Sequence, residues 1–147
     1  MIPIQSQIFS IIAFASLAVP LFGEEVTCKL SEVQVDAARS EDAEMVCEAV
    51  QAAETLFREC RLPGAPSGLR IEVVDEIRQG CVALYHCGEN WIEVLSPDAM
   101  QKQRLPGSAF ALLGIEDYFR SVIIHELSHA VFDDVPCPFE NCIAAAE

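Results

Sequence analysis

Apolar and polar positions repeat in distinct ways along the chain, and each pattern predicts an element. Val26, Cys28, Leu30, Val33 and Val35 show partial alternation, the two-residue period of short strands. Ser40 with Glu41, Asp42 and Glu44 reads as a helix start. A hydroxyl cap is followed there by acids in the first turn, where the helix dipole favours them. Ala43, Val46, Cys47, Val50, Ala53, Phe57 and Cys60 then recur at helical spacing. Leu62-Pro63-Gly64 ends that helix and opens a loop. Residues 69–75 and 81–86 are apolar runs that predict strands, and 91–95 predicts a third after the turn at Gly88-Glu89-Asn90. Ser96-Pro97-Asp98 caps a short helix running to about residue 104, stopped near Pro106-Gly107. A long helix is expected over residues 116–132. Ile143-Ala144-Ala145-Ala146-Glu147 is built from strong helix formers and predicts a last helix. The order gives a small α+β domain, an N-terminal helix and a short mixed sheet packed on the long helix.

The chain has 147 residues, 52% of them apolar, so one domain with a real core is expected and global disorder is excluded. No repeat or interdomain linker interrupts it. Asp and Glu number 23 against 9 Lys and Arg, for a net charge of -14. Without a basic cluster to neutralise phosphates, nucleic acid is excluded as a partner. The first 23 residues carry no charged side chain, and residues 8–22 are almost wholly apolar before Gly23-Glu24-Glu25. This predicts a secretory signal peptide over residues 1–23, cleaved after Ala18 or Gly23, and hence a periplasmic or secreted protein. An uncleaved anchor is the rival, since residues 2–22 just suffice to span a bilayer. No further membrane association is expected.

Export explains the seven cysteines, Cys28, Cys47, Cys60, Cys81, Cys87, Cys137 and Cys142. Short spacings suggest the local pairs Cys81 with Cys87 and Cys137 with Cys142. Cys47 and Cys60 also lie close in sequence, but on one helix they would stand about 20 Å apart, beyond disulfide reach. The odd count leaves one thiol over.

The chemistry sits in the long helix, as His125-Glu126-Leu127-Ser128-His129. Residues four apart share a helical face, so two neutral imidazoles can reach one zinc ion. Glu126 can serve as general base for a water that attacks a carbonyl. Val122-Ile123-Ile124 before the motif and Leu127, Ala130, Val131 and Phe132 around it imply burial. Burying two histidines and a glutamate without a partner is costly, and a metal ion removes that cost. The bland alternative is two ordinary histidines satisfied by backbone carbonyls.

A catalytic zinc needs a third protein ligand and an open position. Asp133 and Asp134 follow too closely to reach the ion and suit a supporting role beside a histidine ring. Glu147, carried back by the expected last helix, is the leading candidate, and Glu140 is the alternative.

Residues 122–131 resemble the extended zinc signature of the zincin metallopeptidases. The 17 residues between His129 and Glu147 are similar to the gluzincin branch, whose third ligand is a glutamate on a following helix. The run HELSHAVFDDVPCPFENCIAAAE also resembles small exported bacterial proteins with such sites. The resemblance implies a zincin-like domain over residues 24–147 that hydrolyses peptide bonds with one zinc, using His125, His129 and Glu147 as ligands and Glu126 as base. It implies a peptide or protein substrate, with residues 91–95 as the edge strand that pairs with it. Gluzincins continue past this point and supply a donor that stabilises the oxyanion, so the resemblance implies a C-terminally truncated domain, with Tyr85, His86 and Tyr118 as candidate substitutes for that donor. A non-catalytic metal-binding module and a disulfide-stapled envelope interaction protein remain the alternatives.

Overall fold

A computed structural model of the chain describes residues 24–29, 31–78, 80–104, 107, 109–132 and 142–144. The expected signal peptide lies outside the described residues, as do Asp133, Asp134, Cys137, Glu140 and Glu147.

The elements run β1 (Glu24–Thr27), β2 (Gln34–Ala37), α1 (Ser40–Glu59), β3 (Arg70–Val74), β4 (Cys81–His86), β5 (Trp91–Leu95), α2 (Pro97–Gln103), a 3-10 turn (Ala109–Leu112), α3 (Ile115–Val131) and β6 (Cys142–Ala144). The strands form one mixed sheet in the order β1-β2-β3-β5-β4-β6. β2, β3 and β5 are parallel neighbours, while β1, β4 and β6 pair antiparallel. This is the expected small α+β architecture.

Register explains which face is buried. Val35, Ile71, Ile92 and Tyr85 lie in one row across β2, β3, β5 and β4, and all are buried. Val73, Val94 and Ala83 form the next buried row on that face. Strand side chains alternate, so the intervening residues point to the opposite face. There Gln34, Arg70, Trp91 and His86 form the equivalent row. Arg70 lies 5.4 Å over the Trp91 ring, and His86 stacks on the same indole at 3.7 Å. α1 packs on β2 and β3, α3 on β4 and β5, and the two helices pack against each other. Arg120 of α3 bonds Glu48 of α1 at 2.8 Å across their outer rim.

Four expectations need correction. Arg39, not Ser40, occupies the cap position of α1, and it makes no cap hydrogen bond. Its guanidinium holds buried Asp42 at 2.9 Å and Asp98 at 2.7 Å, so an ion pair fixes this helix start.

The tail forms strand β6 over Cys142–Ala144 instead of a helix there. Pairing with β4 outweighs a weak intrinsic preference for helix.

β5 is an inner strand, not the edge. Residues 87–90 turn the chain back, with Gly88 and Asn90 at positive φ, and β5 fills the gap between β3 and β4. An alternating pattern fits an inner or an outer strand alike, so sequence did not fix its lateral place.

Cys81 and Cys87 are both disulfide-bonded, and the extended backbone of β4 argues against a bond between the two. Cys81 opens β4 and His86 closes it, about 17 Å away in extended backbone. Cys87 cannot return from there to the 4.4–6.8 Å that a disulfide spans.

The bridge between described side chains is Cys28–Cys47, with Cα atoms 5.2 Å apart, which ties the segment after β1 to α1. Cys60, at the end of α1, is free and exposed. Among the described residues no helix is long and apolar enough to cross a membrane.

Candidate metal centre

α3 buries Tyr118, Phe119, Val122, Ile123, Glu126, Leu127 and Ala130. Their three- and four-residue spacing is the seam of a helix lying on a sheet. Glu126 therefore occupies a position where the pattern calls for an apolar side chain. It is fully buried at 0% exposure, and among the described residues neither carboxylate oxygen has a hydrogen-bond partner.

Burial pushes the Glu126 carboxyl up to about 7, because the charged form loses its hydration. The backbone N–H of Tyr85 in β4 opposes the shift but makes no hydrogen bond of good geometry. A buried carboxyl left in this state is costly unless something else meets it.

The two histidines flank it. His125 is exposed and His129 is half-buried. Their Nε2 atoms face each other at 3.0 Å, with the rings nearly perpendicular. Two nitrogens on one tetrahedral zinc, each at about 2.0–2.1 Å, would stand about 3.3 Å apart. Burial first, and the neighbouring His125 second, hold the His129 imidazole below its ordinary value. Both effects favour the neutral ring that a metal requires. Ligand atoms from His125, Glu126 and His129 all lie within 4.8 Å of one another. The donor set and the orphaned carboxylate both fit a divalent cation.

The helix thus brings together His125, Glu126 and His129. The proposed third ligand, Glu147, and its alternative, Glu140, fall outside the described residues. Two of the candidate oxyanion donors, His86 and Tyr118, lie away from the centre. His86 lies on the sheet face away from α3, stacked on Trp91 and 3.4 Å from Glu93. Tyr118 sits two turns before His125, about 10 Å along the axis, with Arg104 over its ring at 5.3 Å. The Tyr85 ring belongs to the buried face of β4. What sequence reasoning missed is the Tyr85 backbone amide. Only the fold, by laying α3 across β4, brings that amide to Glu126, and no side-chain signal marks it.

The chain belongs to a family of unknown function, DUF6639, whose profile matches residues 33–147. No curated protein and no solved structure matches the chain.

Proposed function

We propose that this chain is an exported, zinc-dependent peptide hydrolase built on a zincin-like site. The observation that carries the reading is the Glu126 carboxylate, fully buried and without a hydrogen-bond partner among the described residues, beside two imidazole nitrogens 3.0 Å apart. A structural histidine pair needs no acid buried beside it. An ion-activated water needs a base held in low dielectric, with a proton affinity near neutrality.

His125 and His129 would hold the ion, with Glu147 as the third protein ligand. A bound zinc would supply Lewis-acid activation of a water and of the scissile carbonyl. Glu126 would accept the proton of the attacking water and deliver it to the leaving amine nitrogen. A proton affinity matched to neutral pH suits both transfers. The apolar walls from Val122, Ile123 and Leu127 would exclude bulk water from that carboxyl.

Export belongs to the same reading. The Cys28–Cys47 bridge suits an oxidising compartment, and the uncharged first 23 residues suit a signal peptide.

The test compares the unaltered protein with Glu126→Gln on a mixed library of unstructured peptides. The isosteric amide should retain zinc and lower kcat by about 10²–10⁴, the range for loss of a general base. Stoichiometric zinc with no hydrolysis of any peptide would favour the non-catalytic metal-binding module instead.

A further inference from the structure

A groove of about 730 Å³ runs beside α1, within the roughly 300–1,000 Å³ that ligand sites occupy. One wall is a stripe of the helix. Glu44, Cys47, Gln51, Thr55 and Arg58 line it at three- and four-residue spacing, so they share one face over about 21 Å. The other wall is the end of β1 and the segment after it, through Val26, Thr27, Lys29 and Ser31. Val26 and buried Val50 give the groove apolar surface.

The Cys28–Cys47 bridge joins the two walls. The turn behind it is fixed by the Ser31 N–H on the Cys28 carbonyl at 3.2 Å and by the Cys28 N–H on the Val33 carbonyl at 3.1 Å. A wall held in this way is already shaped before anything binds, which lowers the entropy cost of binding. β2, β3 and β5 separate β1 from β4, so the groove lies about 19 Å from the strand that meets the metal helix.

The polar groups of the groove are only partly engaged by the fold. Glu48 is bonded to Arg120, and Glu54 accepts from the Ala65 N–H at 2.8 Å. Glu44, Gln51 and Lys29 have no side-chain partner among the described residues. The Ser31 Oγ is buried and has no hydrogen-bond partner among them. A buried hydroxyl in that state is costly, and a peptide N–H or carbonyl removes the cost. Charge also runs along the groove, from the uncompensated Glu44 carboxylate at one end to the Arg58 guanidinium at the other.

We propose that this groove binds a short extended peptide segment with a basic group at the Glu44 end, an acidic group at the Arg58 end and apolar side chains against Val26 and Val50. Extended backbone advances about 3.4 Å per residue, so roughly six residues fill the length. Each peptide unit brings a donor and an acceptor for Lys29, Ser31 and Gln51, which an alkyl chain would leave unmet. The site goes beyond the hydrolase reading and does not depend on it.

The test selects capped six-residue peptides from a random library on the oxidised full chain carrying Glu126→Gln, with zinc supplied. Enriched peptides should carry Lys or Arg toward one end and Asp or Glu toward the other. Gln51→Trp, at an exposed position on the helix wall, fills the groove. It should weaken binding of an enriched peptide about tenfold or more while leaving the urea midpoint unchanged. Glu44→Lys should weaken binding about fivefold, and exchanging the peptide's basic residue for Glu should restore it. Failure to enrich any sequence, or enriched peptides that bind Gln51→Trp as tightly as its parent, would overturn the proposal. So would a dimer in sedimentation that Gln51→Trp disperses, because a second copy of the chain would then be the occupant. None of these outcomes turns on whether peptides are cleaved.

Discussion

His125 and His129 present their Nε2 atoms to each other at 3.0 Å from consecutive turns of α3. Two imidazoles in free rotation have no reason to converge. Here the helix fixes their Cβ atoms on one face, and the packing of Val122, Leu127 and Ala130 fixes the helix on the sheet. The same packing puts Glu126 under them, in the core. The site is thus one consequence of laying α3 across β4.

The buried Glu126 predicts a pH dependence for the metal-free protein. Its folded-state proton affinity is raised to about 7 from an ordinary 4.5. Below pH 4.5 the carboxyl is neutral in both states, and no penalty applies. Between about 4.5 and 7 the unfolded chain loses the proton while the folded chain keeps it, so stability falls as pH rises. Above 7 the loss is complete, at roughly 3 kcal/mol. Urea unfolding in chelator at pH 5 and pH 8 should reveal this loss, and Glu126→Gln should remove most of it. Equal loss in the glutamine variant would assign the pH dependence to other groups.

Much of this was legible in the sequence. β4 and β5 span the expected residues, and α1 and α3 differ from expectation by about one residue at their ends. Period-two alternation, helical spacing and the Ser96-Pro97 start all report local preferences, which the structure keeps. Ser96 indeed caps α2, accepting from the Ala99 N–H at 3.3 Å. The ring positions of His125 and His129 also follow from helical geometry alone. What was not legible is lateral. Neither the inner place of β5 nor the strand at Ile143 follows from local pattern, because both depend on which neighbour offers free backbone groups. The Tyr85 amide was invisible for the same reason.

The geometry of β4 makes a covalent prediction. Non-reducing peptide mapping should return a Cys28–Cys47 bridge and no Cys81–Cys87 bridge, with Cys81 and Cys87 each joined to a different cysteine. Alkylation without reductant should label Cys60, the exposed free thiol. A peptide linking Cys81 to Cys87 would contradict the extended backbone between them.

Arg39 is predicted to matter more than a surface arginine normally does. It is half exposed, yet its partner Asp42 is only 2% exposed, and the same guanidinium reaches Asp98 beside α2. Arg39→Ala leaves a buried carboxylate unpaired and should cost about 2–3 kcal/mol, below the range for fully buried pairs because solvent reaches the arginine. Adding Asp42→Asn should recover part of that loss. Denaturant midpoints for the single and double variants measure both effects. Additive losses would show that the two side chains do not act as a pair.

The measurement that bears most directly on the metal centre is metal content per chain, by mass spectrometry, on the unaltered protein and on His125→Ala/His129→Ala purified alike. The account predicts close to one zinc per chain in the first, and less than about a tenth of that in the second, since affinity rests on those two nitrogens. Equal metal in both, or none in either after zinc is supplied, would contradict it.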